Sequence, residues 1–315
     1  MSVTSAANAI TRYAHNGGIR IAFEDLGGAG GDPLLLVMGL GTSRFWWPDG
    51  LVGELVRRGF HVVAYDQRDA GQSTHVPDRR IGPPVKALLR REAPAYSAED
   101  LTDDAVAVLD ALGWQRAHVF GHSLGGLVAQ RTAIRHPDRV LSLTTSAAVP
   151  SDTKGLSVLR YLRPAPLVRF ARLHHPETPH GNLALAVAVG RILAAPGQAI
   201  GAREVREFVD KEAAHQVSSF RDDKAQSRQI GAKWRGGPLA RITAPTLVLH
   251  GEHDPLVRVA AARAIAAAVP GARLRTLPGV GHFLTRDVWA TYAAHLRALA
   301  DRAHEHPSTN GDTRG

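Results

Sequence analysis

Cysteine is absent from all 315 residues. Disulfide staples, thiolate metal sites and a cysteine nucleophile are therefore excluded together, and stability must come from packing. No run of about 18 apolar residues is present, and Met1 to Asn8 lacks both a basic and an apolar stretch. A membrane span and a secretory leader are thus not expected, and the sequence reads as cytoplasmic. Lysine is scarce, at five of the 38 basic residues, and the arginines are spread from Arg12 to Arg314. The net charge of +9 contains no basic run. Its densest cluster, Arg79, Arg80, Lys86, Arg90 and Arg91, has little aromatic interleaving and matches no nucleic-acid module. Net charge alone speaks to solubility and nonspecific association, so no nucleic-acid partner is expected.

What is present suits an enzyme-sized α/β protein. Hydrophobic residues make up 44% and charged residues 21% of the chain, near globular averages, and one domain with an insertion can reach this length. The first 150 residues alternate short β-rich segments with amphipathic helices, the order of a mostly parallel sheet covered on both faces. Strands are expected at Ile10 to Ala14, Ile19 to Leu26, Pro33 to Met38, Phe60 to Asp66, Ala117 to Gly121 and Val140 to Thr144. The first two should form a hairpin through Asn16-Gly17-Gly18. Between Tyr96 and Gly113, Ser97 is a helix N-cap, Leu101, Ala105, Val108, Leu109 and Leu112 share one face, and Gly113 is the stop.

From Pro150 to Gly237 the alternation ceases, because prolines interrupt several short helical stretches. It resumes with a strand at Pro245 to Gly251, a helix near Val257 to Val269 opened by Pro255, a strand at Arg273 to Leu277 and a helix near Val288 to Ala303. The expected division is a core of residues 1–149 and 238–303, a helical lid of residues 150–237 over the ligand-binding end of the sheet, and a flexible tail at 304–315. His304 and His306 in that tail are not expected to form a metal site.

Chemistry centres on Gly121-His122-Ser123-Leu124-Gly125. A strand precedes it, a helix follows, and the flanking glycines allow a sharp turn that presents the serine hydroxyl. A base comes from His282 in Gly279-Val280-Gly281-His282-Phe283, after the last strand, since an imidazole with an ordinary pKa of about 6.5 can take a proton near neutrality. Asp254 follows the preceding strand and can orient that imidazole, with Glu252 in reserve. The order Ser123, Asp254, His282 is the one a nucleophile-elbow fold uses. The developing oxyanion needs two donors, expected from the backbone N–H groups of Leu124 and of Leu40 in Met38-Gly39-Leu40-Gly41. Asp66 fits a structural loop anchor rather than a catalytic acid. Met38, Trp46, Trp47 and Phe283 are candidates for an apolar pocket, with core packing an equal alternative for the aromatic residues.

From Ile19 to about Ala300 these features resemble the α/β-hydrolase superfamily. Val37-Met38-Gly39, Trp47-Pro48-Asp49, Tyr65-Asp66 with Arg68-Asp69-Ala70-Gly71-Gln72-Ser73, and Asp104 to Asp110 look like the aclacinomycin methylesterase group, whose members hydrolyse a methyl ester on an anthracycline polyketide. Met38, where many superfamily members carry histidine, and Asp69, where many carry glycine, agree with that group. His122 and Leu124 around the serine and the proline-rich insertion depart from it. The resemblance implies an α/β-hydrolase fold with a mostly parallel central sheet of about eight strands flanked by helices. It also implies an acyl-enzyme route to hydrolysis of a carboxylic ester, such as a methyl ester, of a hydrophobic small metabolite, with no cofactor or metal. Serine at 123 argues against the related dehalogenases and epoxide hydrolases, which use aspartate there. Lactonase, thioesterase, carbon–carbon bond hydrolase and cofactor-free perhydrolase activities keep the same triad. A non-hydrolytic ligand-binding protein or biosynthetic cyclase is the alternative of another class. Oligomeric state is left open.

Overall fold

The computed structural model describes residues 10–77 and 94–305. The basic cluster Arg79 to Arg91 and His306 lie outside the described residues. Eight strands form one sheet: β1 (Arg12–Asn16), β2 (Ile19–Gly27), β3 (Asp32–Val37), β4 (Phe60–Tyr65), β5 (Ala117–His122), β6 (Val140–Ser146), β7 (Thr246–Gly251) and β8 (Arg273–Leu277). Their order is β1-β2-β4-β3-β5-β6-β7-β8. β1 with β2 and β2 with β4 are antiparallel, and all other pairs are parallel. The first strand starts two residues later than expected. Asn16 pairs with Ile19, leaving only Gly17 and Gly18 in the turn, and Gly17 takes a φ of +57° that glycine adopts freely.

Helices cover both faces. Leu34 and Leu36 share a core with Leu51 and Leu55 of α1 (Asp49–Arg57) and with Leu296 and Leu299 near the chain's end. Leu35 and Val37 point the other way, into a core with Leu101 and Val108 of α2 (Ala98–Leu112) and Val128 of α3 (Leu124–Arg135). The period-2 alternation of a strand buried on both faces explains the continuous apolar run in β3. Burying each such side chain contributes about 1.5–3 kcal/mol. α2 begins and ends where its sequence demands: the Ser97 side chain accepts from the Asp100 N–H in a capping box, and Gly113 closes the helix at φ +71°.

Between β6 and β7 the chain forms two 3-10 segments (Gly155–Tyr161 and Leu239–Arg241) and four helices: α4 (Pro164–Phe170), α5 (Pro179–Leu193), α6 (Ala202–Ala214) and α7 (Asp223–Gly231). α8 (Val259–Ala268) and α9 (Trp289–Glu305) complete the layers. Pro255 does not open α8, whose N-cap is Arg258. The Asp254 carboxylate accepts the Leu256 and Val257 N–H groups, which holds the proline in a turn before the helix. α9 runs through Glu305, so His304 is helical and not part of a tail.

A buried ion pair fastens the hairpin to the body. Arg68, after β4, bonds both carboxylate oxygens of Asp104 on α2 at 2.6 Å each, and Asn16 donates to Asp104 at 2.9 Å. Both charged side chains are at most 5% exposed. Removing one partner leaves a buried charge unpaired, whereas an apolar replacement of both does not. Asp104→Ala is expected to cost about 3–5 kcal/mol in urea unfolding, and Arg68→Met with Asp104→Leu substantially less; equal losses would contradict this account.

Candidate active site

The loops after β3, β5, β7 and β8 meet at one end of the sheet. Between β5 and α3 the backbone of Ser123 adopts φ +56° and ψ −123°, a conformation costly for a non-glycine residue. It is held by the Ser123 N–H donating to the Ser146 carbonyl at 2.8 Å. The flanking glycines are required by space. A Cβ on Gly121 would lie 2.2 Å from the Gly125 carbonyl oxygen, and one on Gly125 would lie 2.0 Å from that of Val37.

The same close approach brings in the loop after β3. A Cβ on Gly39 would sit 3.3 Å from the Ser123 Cβ. The Gln67 amide donates to the Met38 carbonyl at 2.6 Å, the Thr42 hydroxyl donates to the Gly39 carbonyl at 2.9 Å, and the Gly41 N–H donates to Gln229 on α7 at 3.0 Å. Leu40 and Leu124 thereby flank Ser123 in the wall of one cavity.

His282 and Asp254 pair at 2.8 Å through Nδ1 and Oδ2, and both are nearly fully buried. Burial pushes the Asp254 carboxyl upward, but the charge and hydrogen bond of His282 outweigh this and hold it below the usual carboxylate range. With Nδ1 facing the acid, the second ring nitrogen of His282 is not engaged by Asp254. The His282 and Phe283 N–H groups both reach the Leu193 carbonyl at the end of α5, at 2.8 and 3.1 Å. Glu252 lies on the surface and accepts from Thr276 at 2.8 Å, so it is not the partner of His282. Asp66 is fully buried, pairs with Arg44 and accepts the Gln72 N–H at 2.8 Å, the anchoring arrangement expected for it.

The cavity measures about 1370 Å³ and contains Ser123 and His282 in its wall together with Met38, Trp46 and Phe283. Trp47 is not part of that wall. It is 1% exposed and packs against Phe120 at a ring separation of 5.0 Å, because it follows the 3-10 turn Arg44–Trp46 and points into the sheet core. Trp46 stacks on Phe208 of α6 at 5.1 Å, and its indole N–H donates to Glu212 at 3.0 Å.

The alpha/beta hydrolase fold family model matches residues 32–285. The chain belongs to the alpha/beta hydrolase family. It is 32% identical over 309 residues to a rhodomycin D methylesterase of Streptomyces peucetius, covering 91% of this chain and 98% of that one, in keeping with the resemblance to the aclacinomycin methylesterase group. It is 30% identical over 269 residues to a putative carbamate hydrolase of Variovorax paradoxus, covering 82% and 88%. Among solved structures, a meta-cleavage product hydrolase from Pseudomonas fluorescens IP01 superposes with a TM-score of 0.67 at 17% identity, covering 93% of this chain and 98% of that one. This alpha/beta hydrolase is therefore a hydrolase by kinship. No helix among the described residues is long and apolar enough to cross a membrane.

Sequence reasoning about this alpha/beta hydrolase missed the residues that hold the loops in place. Gln67, Gln229 and Leu193 act through backbone contacts with partners up to 188 positions away, and no local pattern marks them. It also gives no role to His122, whose ring centroid is 5.1 Å from that of His282. Burial, with a further contribution from His282, pushes the His122 imidazole down to about 3 from an ordinary 6.5. In the unfolded chain this group takes up a proton at higher pH than in the folded one. Its contribution to stability is complete above about 6.5 and is lost as pH falls toward 3. The thermal midpoint should therefore fall between pH 6.5 and 4, and less steeply in His122→Gln. Identical slopes for the two proteins in a calorimetric pH series would remove His122 from the explanation.

Proposed function

We propose that this protein is a serine hydrolase that cleaves a carboxylic ester, such as a methyl ester, of a bulky hydrophobic metabolite through an acyl-enzyme. The observation that carries the reading is the convergence of a strained, glycine-flanked Ser123 with a buried His282–Asp254 pair on one large cavity. Ser123 attacks the ester carbonyl as His282 takes its proton. Asp254 keeps the imidazole oriented and stabilises its cationic form. The N–H groups of Leu40 and Leu124 receive the oxyanion. His282 then passes the proton to the leaving alcohol, and in the second half it draws a proton from water as that water attacks the acyl-enzyme. Apart from the ester and water, the groups these steps use are side chains and backbone N–H groups of the protein.

The substrate class follows from the cavity and the relatives. A volume of about 1370 Å³ exceeds the roughly 300–1,000 Å³ of ordinary small-molecule sites. The wall is rich in apolar side chains, among them Leu127, Leu159, Leu185, Val189, Phe208 and Phe220. A polycyclic ester fits this space, in line with the rhodomycin D methylesterase activity named for the Streptomyces relative. Residues 150–237 act as the lid in this reading, since their helices supply most of the far wall and touch both catalytic loops through Gln229 and Leu193.

Labelling with a fluorophosphonate probe, followed by intact mass, tests the nucleophile. Wild type is expected to gain one adduct and to hydrolyse a p-nitrophenyl ester. Ser123→Ala should lose both, the turnover by several orders of magnitude, and Asp254→Asn should lower kcat by about 10³–10⁴. Undiminished turnover in Ser123→Ala would overturn the mechanism. Preference for a thioester or a β-diketone over every carboxylic ester would instead replace the substrate class.

A further inference from the structure

At the opposite end of the sheet, three potential ligands converge from three elements. Asp32 is the first residue of β3, His118 the second of β5, and His304 lies in the last turn of α9. Because Leu34 pairs with His118, Asp32 and Leu34 share a face and Asp32 lies diagonally across from the histidine. One ligand atom from each of the three side chains lies within 4.8 Å of the other two, and His304 Nε2 is 3.2 Å from Asp32 Oδ2. Strands of this length separate the cluster from Ser123 by about 15–20 Å.

The state of His118 is the second observation. Its side chain is buried, with 3% of the residue exposed. Nδ1 lies 2.8 Å from the Ser142 hydroxyl on the neighbouring strand. Nε2 is buried and has no hydrogen-bond partner among the described residues. An unsatisfied buried ring nitrogen costs about 1–3 kcal/mol, and the Ser142 contact is the kind of outer hydrogen bond that orients a ligating imidazole.

We propose that Asp32, His118 and His304 bind a divalent cation of the zinc class and so clamp the last turn of α9 to the sheet. Two imidazoles and one carboxylate suit Zn²⁺ and leave a coordination position for water. Bond lengths of about 2.0–2.1 Å place ligand atoms about 3.4 Å apart, and the half-exposed His304 can swing inward to reach this spacing. Arg297 is the competing group: its Nη1 lies 2.7 Å from Asp32 Oδ2, and its Nε is held by Asp301 at 2.8 Å. The carboxylate has about four acceptor positions, so the cation shares Asp32 with Arg297. That second positive charge, with Arg116 acting on His118, favours moderate affinity over the tight binding of an all-thiolate site.

The test uses the full chain, stripped with chelator and titrated with ZnCl₂ by calorimetry, with Co²⁺ absorption as a report of ligand type and fluorophosphonate labelling as a check of the distant cavity. One equivalent is expected to bind and raise the thermal midpoint. His304→Ala, a change at a half-exposed position, should weaken that binding by about tenfold or more while leaving labelling unchanged. Asp32→Asn should weaken it similarly. Absence of a saturable one-equivalent site in the wild-type protein, or binding equally tight in His304→Ala, would overturn the proposal.

Discussion

The close approach of two backbones is the constraint on which the site depends. The turn at Ser123 lies against the end of β3 with no room for a side chain at Gly125, and it folds back on itself with no room for one at Gly121. This contact lets a non-glycine residue persist at φ +56°, since a conformation that costs on the order of 1–3 kcal/mol survives only where the surroundings over-determine it. It also sets Gly39 over the serine. The position of one loop therefore fixes the other, and Leu40, Ser123 and Leu124 come to share one cavity wall.

The inserted helices stabilise that geometry as well as covering it. Gln229 binds the Gly41 N–H and the Arg68 carbonyl, and Arg228 forms a bidentate pair with Asp69 at 2.7 Å for both bonds. Glu212 gathers Ser43, Ser219 and Trp46 around one buried carboxylate. On the other side, Leu193 receives the two N–H groups of the histidine loop. Charged and polar pairs of this kind add little net stability when buried, but they penalise any arrangement that separates them. Their effect here is to specify one position of the insertion relative to the loops. The segment around Gly155–Tyr161 and α4 makes fewer buried ion pairs of this kind, and Leu156, Leu159 and Val168 are exposed there.

The two ends of the sheet are built differently. At the cavity end, loops bring Ser123, Asp254 and His282 together. At the opposite end, strand starts and the last helix bring Asp32, His118 and His304 together through regular elements alone. The second cluster is invisible in the sequence because its members are 86 and 186 positions apart, and because the helical pattern in the sequence stops near Ala303, just short of His304.

The sequence by itself determined the layered α/β architecture, the hairpin, the capped helix α2 and the three loops that carry Ser123, Asp254 and His282. These features are local: alternation of period 2 against 3.6, turn glycines and a capping serine act over a few residues. It did not place the start of α8, where the Asp254 carboxylate competes for the N–H groups that Pro255 would otherwise lead into a helix. Nor did it separate Trp46 from Trp47. Adjacent aromatic residues have the same propensities, and only the turn between β3 and α1, seated against Phe208 on one side and Phe120 on the other, sends one ring to the cavity and the other to the core. The tertiary structure alone decided the size of the cavity, the anchoring of the insertion and the role of Gln229, because each depends on contacts between segments far apart in the chain, which pattern and propensity do not encode.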